Sequence, residues 1–258
     1  MIHIKTPQEI EKMRESGRVA ALILDEVKKA VVPGATTLEL NDLAEKLIKK
    51  YEVKPAFKGY EGFPAVICTS VNEVVVHGVP NNVPLKEGDI LSLDFGVIKD
   101  GWYSDMGETV LVGNEVSHEA RRLVRVTKKA LKLGIKKARP GNTTGDIGNT
   151  IERYVKSEGF EVVKELVGHG VGRELHEDPS VPNFGNRRSG DELKEGMVIA
   201  IEPMVIAVPM SGFGRQAGQA EIKLHKDNFG YASSHKYPTA YFEHTVVITK
   251  NGADILTM

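Results

Sequence analysis

Four carboxylates stand in segments that otherwise read as apolar strands. Asp94 lies in Leu91-Ser92-Leu93-Asp94-Phe95-Gly96-Val97, Asp105 in Trp102-Tyr103-Ser104-Asp105-Met106, Glu202 at the end of Met197-Val198-Ile199-Ala200-Ile201-Glu202, and Glu243 in Tyr241-Phe242-Glu243-His244-Thr245-Val246-Val247. Taken alone, each acid is an outward-facing residue on a half-exposed strand. Together they pose an electrostatic problem. Lys99-Asp100-Gly101 reads as a hairpin turn; with Lys99 and Asp100 at its tip, Asp94 stands opposite Asp105. A turn shifted by a residue, or a bulge at Gly101, makes the two diagonal. Like charges facing each other across a strand pair destabilise it, by roughly 4 kcal/mol at ~4 Å in an effective dielectric of ~20. Several such repulsions rival the ~5 to 15 kcal/mol that holds a whole domain together. These segments contain no Lys or Arg. One or two divalent cations are the economical counter-charge.

A histidine completes such a ligand set. His169 sits in Val167-Gly168-His169-Gly170-Val171-Gly172, where neighbours without side chains let backbone approach closely. His77, in Val76-His77-Gly78, and His176, in Leu175-His176-Glu177, are further candidates near the centre. His3, His118, His225 and His235 have no comparable setting and read as solvated surface.

The elements that must position these groups recur. Pro33-Gly34-Ala35-Thr36-Thr37 returns as Pro140-Gly141-Asn142-Thr143-Thr144, 107 residues on, and Leu85-Lys86-Glu87-Gly88 returns as Leu193-Lys194-Glu195-Gly196, 108 residues on. Thr36 with Glu39 and Thr143 with Asp146 have capping-box spacing, so each half carries a helix from that point. Strands follow the second repeat in each half, Asp89–Asp94 and Met197–Glu202, both ending in a carboxylate, so Glu202 occupies the place of Asp94. Glu243 is then the counterpart of Asp105. Thr6-Pro7-Gln8-Glu9 starts a further helix, and another runs from about Ser117 toward Lys137. The order, two helices, strands, two helices, strands, predicts an α+β fold. Its two pseudo-equivalent halves, roughly 1–115 and 116–258, pack helices on a mostly antiparallel sheet as one continuous domain.

At 258 residues the chain can bury a sizeable core. A net charge of −1 argues against a general nucleic-acid binder and against an acidic disordered chain, and no specific DNA partner is expected. One cysteine, Cys68, excludes an intrachain disulfide and suits a reducing compartment. There is no signal-like N-terminal run and no uncharged membrane-length stretch, so the expectation is a cytoplasmic protein without a membrane partner; a monomer is the separate working expectation.

The five residues Asp94, Asp105, His169, Glu202 and Glu243, in the strings Leu93-Asp94-Phe95-Gly96, Ser104-Asp105, Gly168-His169-Gly170-Val171-Gly172, Ile201-Glu202-Pro203-Met204 and Phe242-Glu243-His244-Thr245, resemble the metal ligands of the methionine aminopeptidases. The resemblance runs from Thr6-Pro7 to Asn251-Gly252-Ala253, and the short connection between His176 and Glu202 looks like the type I branch. It implies the duplicated pita-bread fold and removal of N-terminal methionine from nascent chains and peptides, preferring a small second residue. It also implies two divalent metals (Co, Mn, Fe or Zn) bridged by Asp105 and Glu243, with Asp94 on one and His169 and Glu202 on the other. A metal-activated water would attack the scissile carbonyl, Glu202 would shuttle the proton, and His77 and His176 would contact the scissile amide. Positions matching the methionine pocket are Phe57, Tyr60, Phe63, Cys68, Leu175 and Phe229. Leu175 and Phe229 depart from the Phe and Trp often found there, which keeps the pocket apolar but changes its shape. The Gly-rich loop 209–219 has no assigned role. Two other readings share the fold: prolidase-like enzymes, which usually carry an extra N-terminal domain, and metal-free RNA- or ribosome-binding relatives, which the intact ligand set disfavours. Transient ribosome contact through Lys28-Lys29, Lys49-Lys50, Arg121-Arg122, Lys128-Lys129 and Lys136-Lys137 remains compatible with a peptidase.

Overall fold

The computed structural model describes residues 2–209 and 220–258. The Gly-rich loop therefore lies outside the described residues, save for Pro209. In chain order the elements are α1 Pro7–Lys29, α2 Thr37–Lys50, β1 Lys54–Pro55, β2 Cys68–Val71, β3 Val74–Val76, β4 Ile90–Lys99, β5 Trp102–Leu111, α3 His118–Lys137 and α4 Thr144–Ser157. There follow β6 Glu161–Val162, β7 Gly168–Gly170, β8 Glu177–Val181, β9 Val198–Ile201, β10 Met204–Ile206, β11 Ile222–Leu224, β12 Tyr231–Ser233, β13 Thr239–Tyr241, β14 Glu243–Thr249 and β15 Gly252–Ile255. The capping boxes expected at Thr6/Glu9, Thr36/Glu39 and Thr143/Asp146 all form, each Thr hydroxyl accepting the third amide and each acid reaching back to the cap. The duplication also survives in detail, since Thr36 bridges Pro84 and Thr143 bridges Glu192.

Nine strands among the described residues join one antiparallel sheet in the order β1-β4-β5-β14-β9-β7-β8, with β2 beside β4 and β15 beside β14. Strands of the two halves meet at β5 and β14, where His244 pairs with Met106. Alternation along each strand decides which residues reach the cleft. Leu91, Leu93, Phe95 and Val97 of β4 pack with Ile23, Leu24, Leu40 and Ala44 of α1 and α2. Ile199 and Ile201 of β9 pack with Leu123, Val126, Ile147 and Ile151 of α3 and α4. Asp94 and Glu202 have the opposite parity, so burying the apolar face aims both carboxylates away from the helices. Asp94 does not end its strand as expected, because β4 runs on to Lys99.

The hairpin turn is Asp100-Gly101, both at positive φ (51° and 78°), with Lys99 pairing Trp102. That geometry favours Asp-Gly at the tip and matches the strand twist. Asp94 therefore pairs with Gly107 and Asp105 with Gly96, making the two acids diagonal neighbours on one face. On the opposite face, Glu108 accepts from Lys28 Nζ at 2.5 Å and from Lys128 Nζ at 2.9 Å, tying α1 to α3 across the junction of the halves.

Candidate metal centre and active-site cleft

Asp94, Asp105, Glu202 and Glu243 converge on the floor of a cavity of about 720 Å³. They are 8, 4, 8 and 1% exposed, so water cannot screen them from one another. Burial pushes all four carboxyls above their ordinary range, with mutual repulsion adding to the shift at Asp94, Glu202 and Glu243. Asp94 Oδ1, Asp105 Oδ1 and Glu243 Oε1 are buried acceptors without a hydrogen-bond donor. Buried acceptors in native folds are nearly always satisfied, so three orphans in one nest call for a cation.

His169 supports the same reading through its tautomer. Its Nδ1 lies 2.9 Å from the Gly170 carbonyl, which can only accept, so Nδ1 carries the proton and Nε2 turns a lone pair toward the acids. Nε2 stands 3.5 Å from Glu202 Oε1 and 3.9 Å from Asp105 Oδ2. Those are ion-pair distances, yet burial and the neighbouring His176 push this imidazole down to about 3, so near neutrality the ring is uncharged. Lone pairs facing lone pairs need a positive ion between them. One ligand atom each from Asp105, His169 and Glu243 lies within 4.8 Å of the others, the scale of a first coordination sphere. The flanking glycines permit this placement: a Cβ on Gly168 would sit 2.4 Å from Ala200 O, and one on Gly170 2.1 Å from Asp178 O.

His77 and His176 border the same cavity. The His176 ring meets His169 edge-on with centroids 4.3 Å apart, and its Nδ1 is 2.7 Å from the Tyr60 hydroxyl. Desolvation lowers both imidazoles, His77 to about 4. His77 is exposed on the cavity lining, yet protein atoms close around its ring disfavour the charged form. Both rings are thus neutral near pH 7 and can present one N–H each. Above them Phe57, Phe63, Cys68 and Leu175 form one apolar cluster with Phe229 against it, and Phe63 and Phe229 pack edge to face at 5.5 Å. The cavity therefore combines an anionic floor with an apolar wall. Cys68 stands in register with Asp94, and burial pushes its thiol well up, which leaves it protonated and unsuited to nucleophilic attack.

The profile of metallopeptidase family M24 matches residues 11–250. The methionine aminopeptidase 1 of Bacillus subtilis (strain 168) is 46% identical over 257 residues, covering 100% of this chain and 99% of that protein. This chain belongs to the methionine aminopeptidases of family M24. A crystal structure of methionine aminopeptidase from Thermotoga maritima superposes with a TM-score of 0.93 at 45% identity, covering 100% of this chain and 99% of the other. One from Rickettsia prowazekii gives 0.94 at 42% identity, with 100% of both chains covered. The prolidase of Pyrococcus horikoshii OT3 gives 0.76 at 24% identity, with 63% of its chain covered, and shows the shared pita-bread fold alone.

In this M24 chain several positioning groups were not singled out by sequence reading. Tyr241 lines the cavity and its hydroxyl donates to Glu243 Oε2. Tyr241 precedes Glu243 by two residues, the same-face spacing of a strand, and that was the available signal. Thr245 Oγ accepts from Asp105 N at 3.0 Å and donates to Asp105 O at 2.7 Å, while Asn183 Nδ2 donates to Glu202 O at 2.9 Å. These groups come from distant sequence, so no local pattern marks them. His225, expected on solvated surface, is instead half-buried with Nδ1 3.0 Å from Asp227 Oδ2.

Proposed function

We propose that this chain removes N-terminal methionine from nascent proteins and peptides by metal-dependent hydrolysis, preferring a small second residue. The observation that carries the reading is the joining, in one cavity, of a nest of four buried carboxylates, three with an unpartnered oxygen, with an apolar recess. Asp94, Asp105, His169, Glu202 and Glu243 would hold the two divalent cations, and the borderline donor set suits Mn, Fe, Co or Zn. When bound, such ions supply Lewis acidity, which polarises a carbonyl and makes water a nucleophile at neutral pH.

The chain's own groups supply the rest. Glu202 lines the cavity beside the other acids, where its carboxylate would take a proton from water and return it to the leaving amine. Neutral His77 and His176 donate to the scissile amide, with His176 held by the Tyr60 hydroxyl. Phe57, Tyr60, Phe63, Cys68, Leu175 and Phe229 bury the unbranched thioether chain of the first residue. The duplicated halves act as one catalytic domain, as a monomer in the cytoplasm. No helix among the described residues is long and apolar enough to cross a membrane. Transient contact with the ribosome would use α3, where Arg121, Arg125, Lys129, Lys132 and Lys136 are exposed.

The test is turnover of a Met-Gly-Met peptide beside an Xaa-Pro peptide by chelator-treated protein, before and after Mn, Fe(II), Co or Zn is restored. Metal-dependent release of methionine is the expected result. Preference for Xaa-Pro, or a rate indifferent to metal, would overturn the assignment.

A further inference from the structure

We propose that Asp227 is a positioning residue that clamps the turn carrying His77 to the loop carrying Phe229, setting the amide-contacting imidazole and the wall of the methionine pocket together. Its two carboxylate oxygens divide the task. Oδ2 accepts from Val79 N at 3.1 Å, while Oδ1 accepts from Phe229 N at 3.0 Å and Gly230 N at 2.8 Å. One side chain thus joins backbone segments 148 residues apart in sequence.

His77 needs such a clamp. Its φ is 59°, a left-handed conformation that a non-glycine residue keeps only where its surroundings fix it. Both following amides are held, Gly78 N by Ser70 Oγ at 3.1 Å and Val79 N by Asp227. The two segments also touch directly, since a Cβ on Gly230 would lie 3.4 Å from Gly78 Cα. Removing the Asp227 carboxylate frees the turn to relax out of its strained form, swinging His77 away from the scissile amide. It also releases Phe229 from its edge-to-face contact with Phe63.

The proposal rests on the roles given above to His77 and Phe229, and its test separates the two. In the metal-loaded enzyme Asp227→Ala is expected to lower kcat roughly 10- to 100-fold, the scale of a misplacement of about 1 Å, and to raise KM for a methionyl peptide. Asp227→Asn keeps one acceptor oxygen and holds one segment, so it gives an intermediate loss and serves if the Ala variant fails to fold. In a His77→Ala background the Asp227→Ala effect on kcat is expected to shrink to within about twofold, because the two act as a unit. Amide hydrogen exchange at Gly78 and Val79 should quicken in Asp227→Ala at unchanged global protection. An equal fall of kcat in both backgrounds, an unaltered kcat, or unchanged exchange at Val79 would each overturn the clamp. A His77→Ala enzyme with wild-type kcat would instead overturn the role of His77, while exchange at Val79 still decides whether Asp227 is the clamp.

Discussion

Asp94 and Glu243 stand in register with the same residue, Gly107, from strands on opposite sides of β5. The residue between the two carboxylates therefore has no side chain. The Tyr241 ring occupies that space: a Cβ on Gly107 would lie 2.0 Å from its Cε1. The glycine is required for room rather than for backbone freedom. Its absent methyl lets the Tyr241 hydroxyl reach Glu243.

Gly107→Ala must then push the Tyr241 ring aside. Overpacking of this kind costs about 1 to 3 kcal/mol, which denaturant unfolding will register. The displaced phenol no longer orients Glu243, so divalent-ion affinity measured by calorimetry should fall with it. Wild-type affinity in a destabilised Gly107→Ala protein would show that Tyr241 does not orient the carboxylate.

The proposed ligand and amide-contacting roles separate by metal content. Glu243→Ala deletes an acceptor that is 1% exposed and has an unpartnered oxygen, and the purified variant should retain less than its full complement of metal. His176→Ala should keep its metal and lose rate by about 10²- to 10⁴-fold, the usual contribution of a positioned proton donor. Two equivalents of metal bound to Glu243→Ala, or metal loss from His176→Ala, would reverse these placements.

Much of this arrangement was legible in the sequence because duplication and strand parity both leave local marks. The repeats at Pro33 and Pro140, the capping boxes at Thr36 and Thr143, and the matching parity of Asp94 and Glu202 all appear as expected. The hairpin register was the weak point, since Lys99-Asp100 and Asp100-Gly101 are competing tips and only the twist of the paired strands selects the second. The structure takes the shifted, diagonal alternative, and the site is unaffected: the pairing differs by two residues, an even step that leaves Asp94 and Asp105 on one face. Asp227, Asn183 and Thr245 were invisible for a different reason. Each reaches backbone brought near by tertiary folding, Asp227 in addition to its own local turn, and a single carboxylate, amide or hydroxyl in a loop or strand carries no periodicity.

Metal and pH should act on stability together, and the sign follows from the shifts. The four acids have folded pKa values above their ordinary 3.8 and 4.5, so the metal-free native state holds more protons than the unfolded chain. Their contribution is present at low pH and lost as pH rises through the raised values. His77 and His169, depressed to about 4 and 3 from 6.5, act oppositely, contributing above 6.5 and losing it as pH falls. Divalent ions bound at the proposed site would displace the protons on the acids, so ligation strengthens as pH rises. The rise in melting temperature on adding saturating Mn should therefore be larger at pH 8 than at pH 5. Equal shifts at the two pH values would contradict raised carboxyl values in the nest.

The loop that carries His176 is anchored by a buried pair outside the nest. Lys5 Nζ, 1% exposed, donates to Glu177 Oε2 at 2.7 Å, and Glu177 Oε1 accepts from Arg173 N at 2.7 Å and Glu174 N at 3.3 Å. Arg173 in turn lies over the Trp102 ring at 3.9 Å. Partial burial alone would raise the Glu177 carboxyl; the Lys5 ammonium and the two amides outweigh it, and the net value is lowered. Its stabilisation is thus present above the unfolded value of 4.5 and lost as pH falls through the lower folded value. Lys5→Met removes the cation and leaves Glu177 a side chain only 16% exposed. Breaking a fully buried pair costs about 3 to 5 kcal/mol, so a loss of roughly 1 to 3 kcal/mol is expected here, where water and two amides still reach the carboxylate. The loss should be visible at pH 7 and shrink below pH 4.5 as Glu177 protonates in both proteins. A slower kcat with unchanged metal content should accompany it, because His176 directly precedes Glu177; a Lys5→Met enzyme with wild-type kcat and a pH-independent stability loss would mean that the pair holds the N-terminal segment and not the loop.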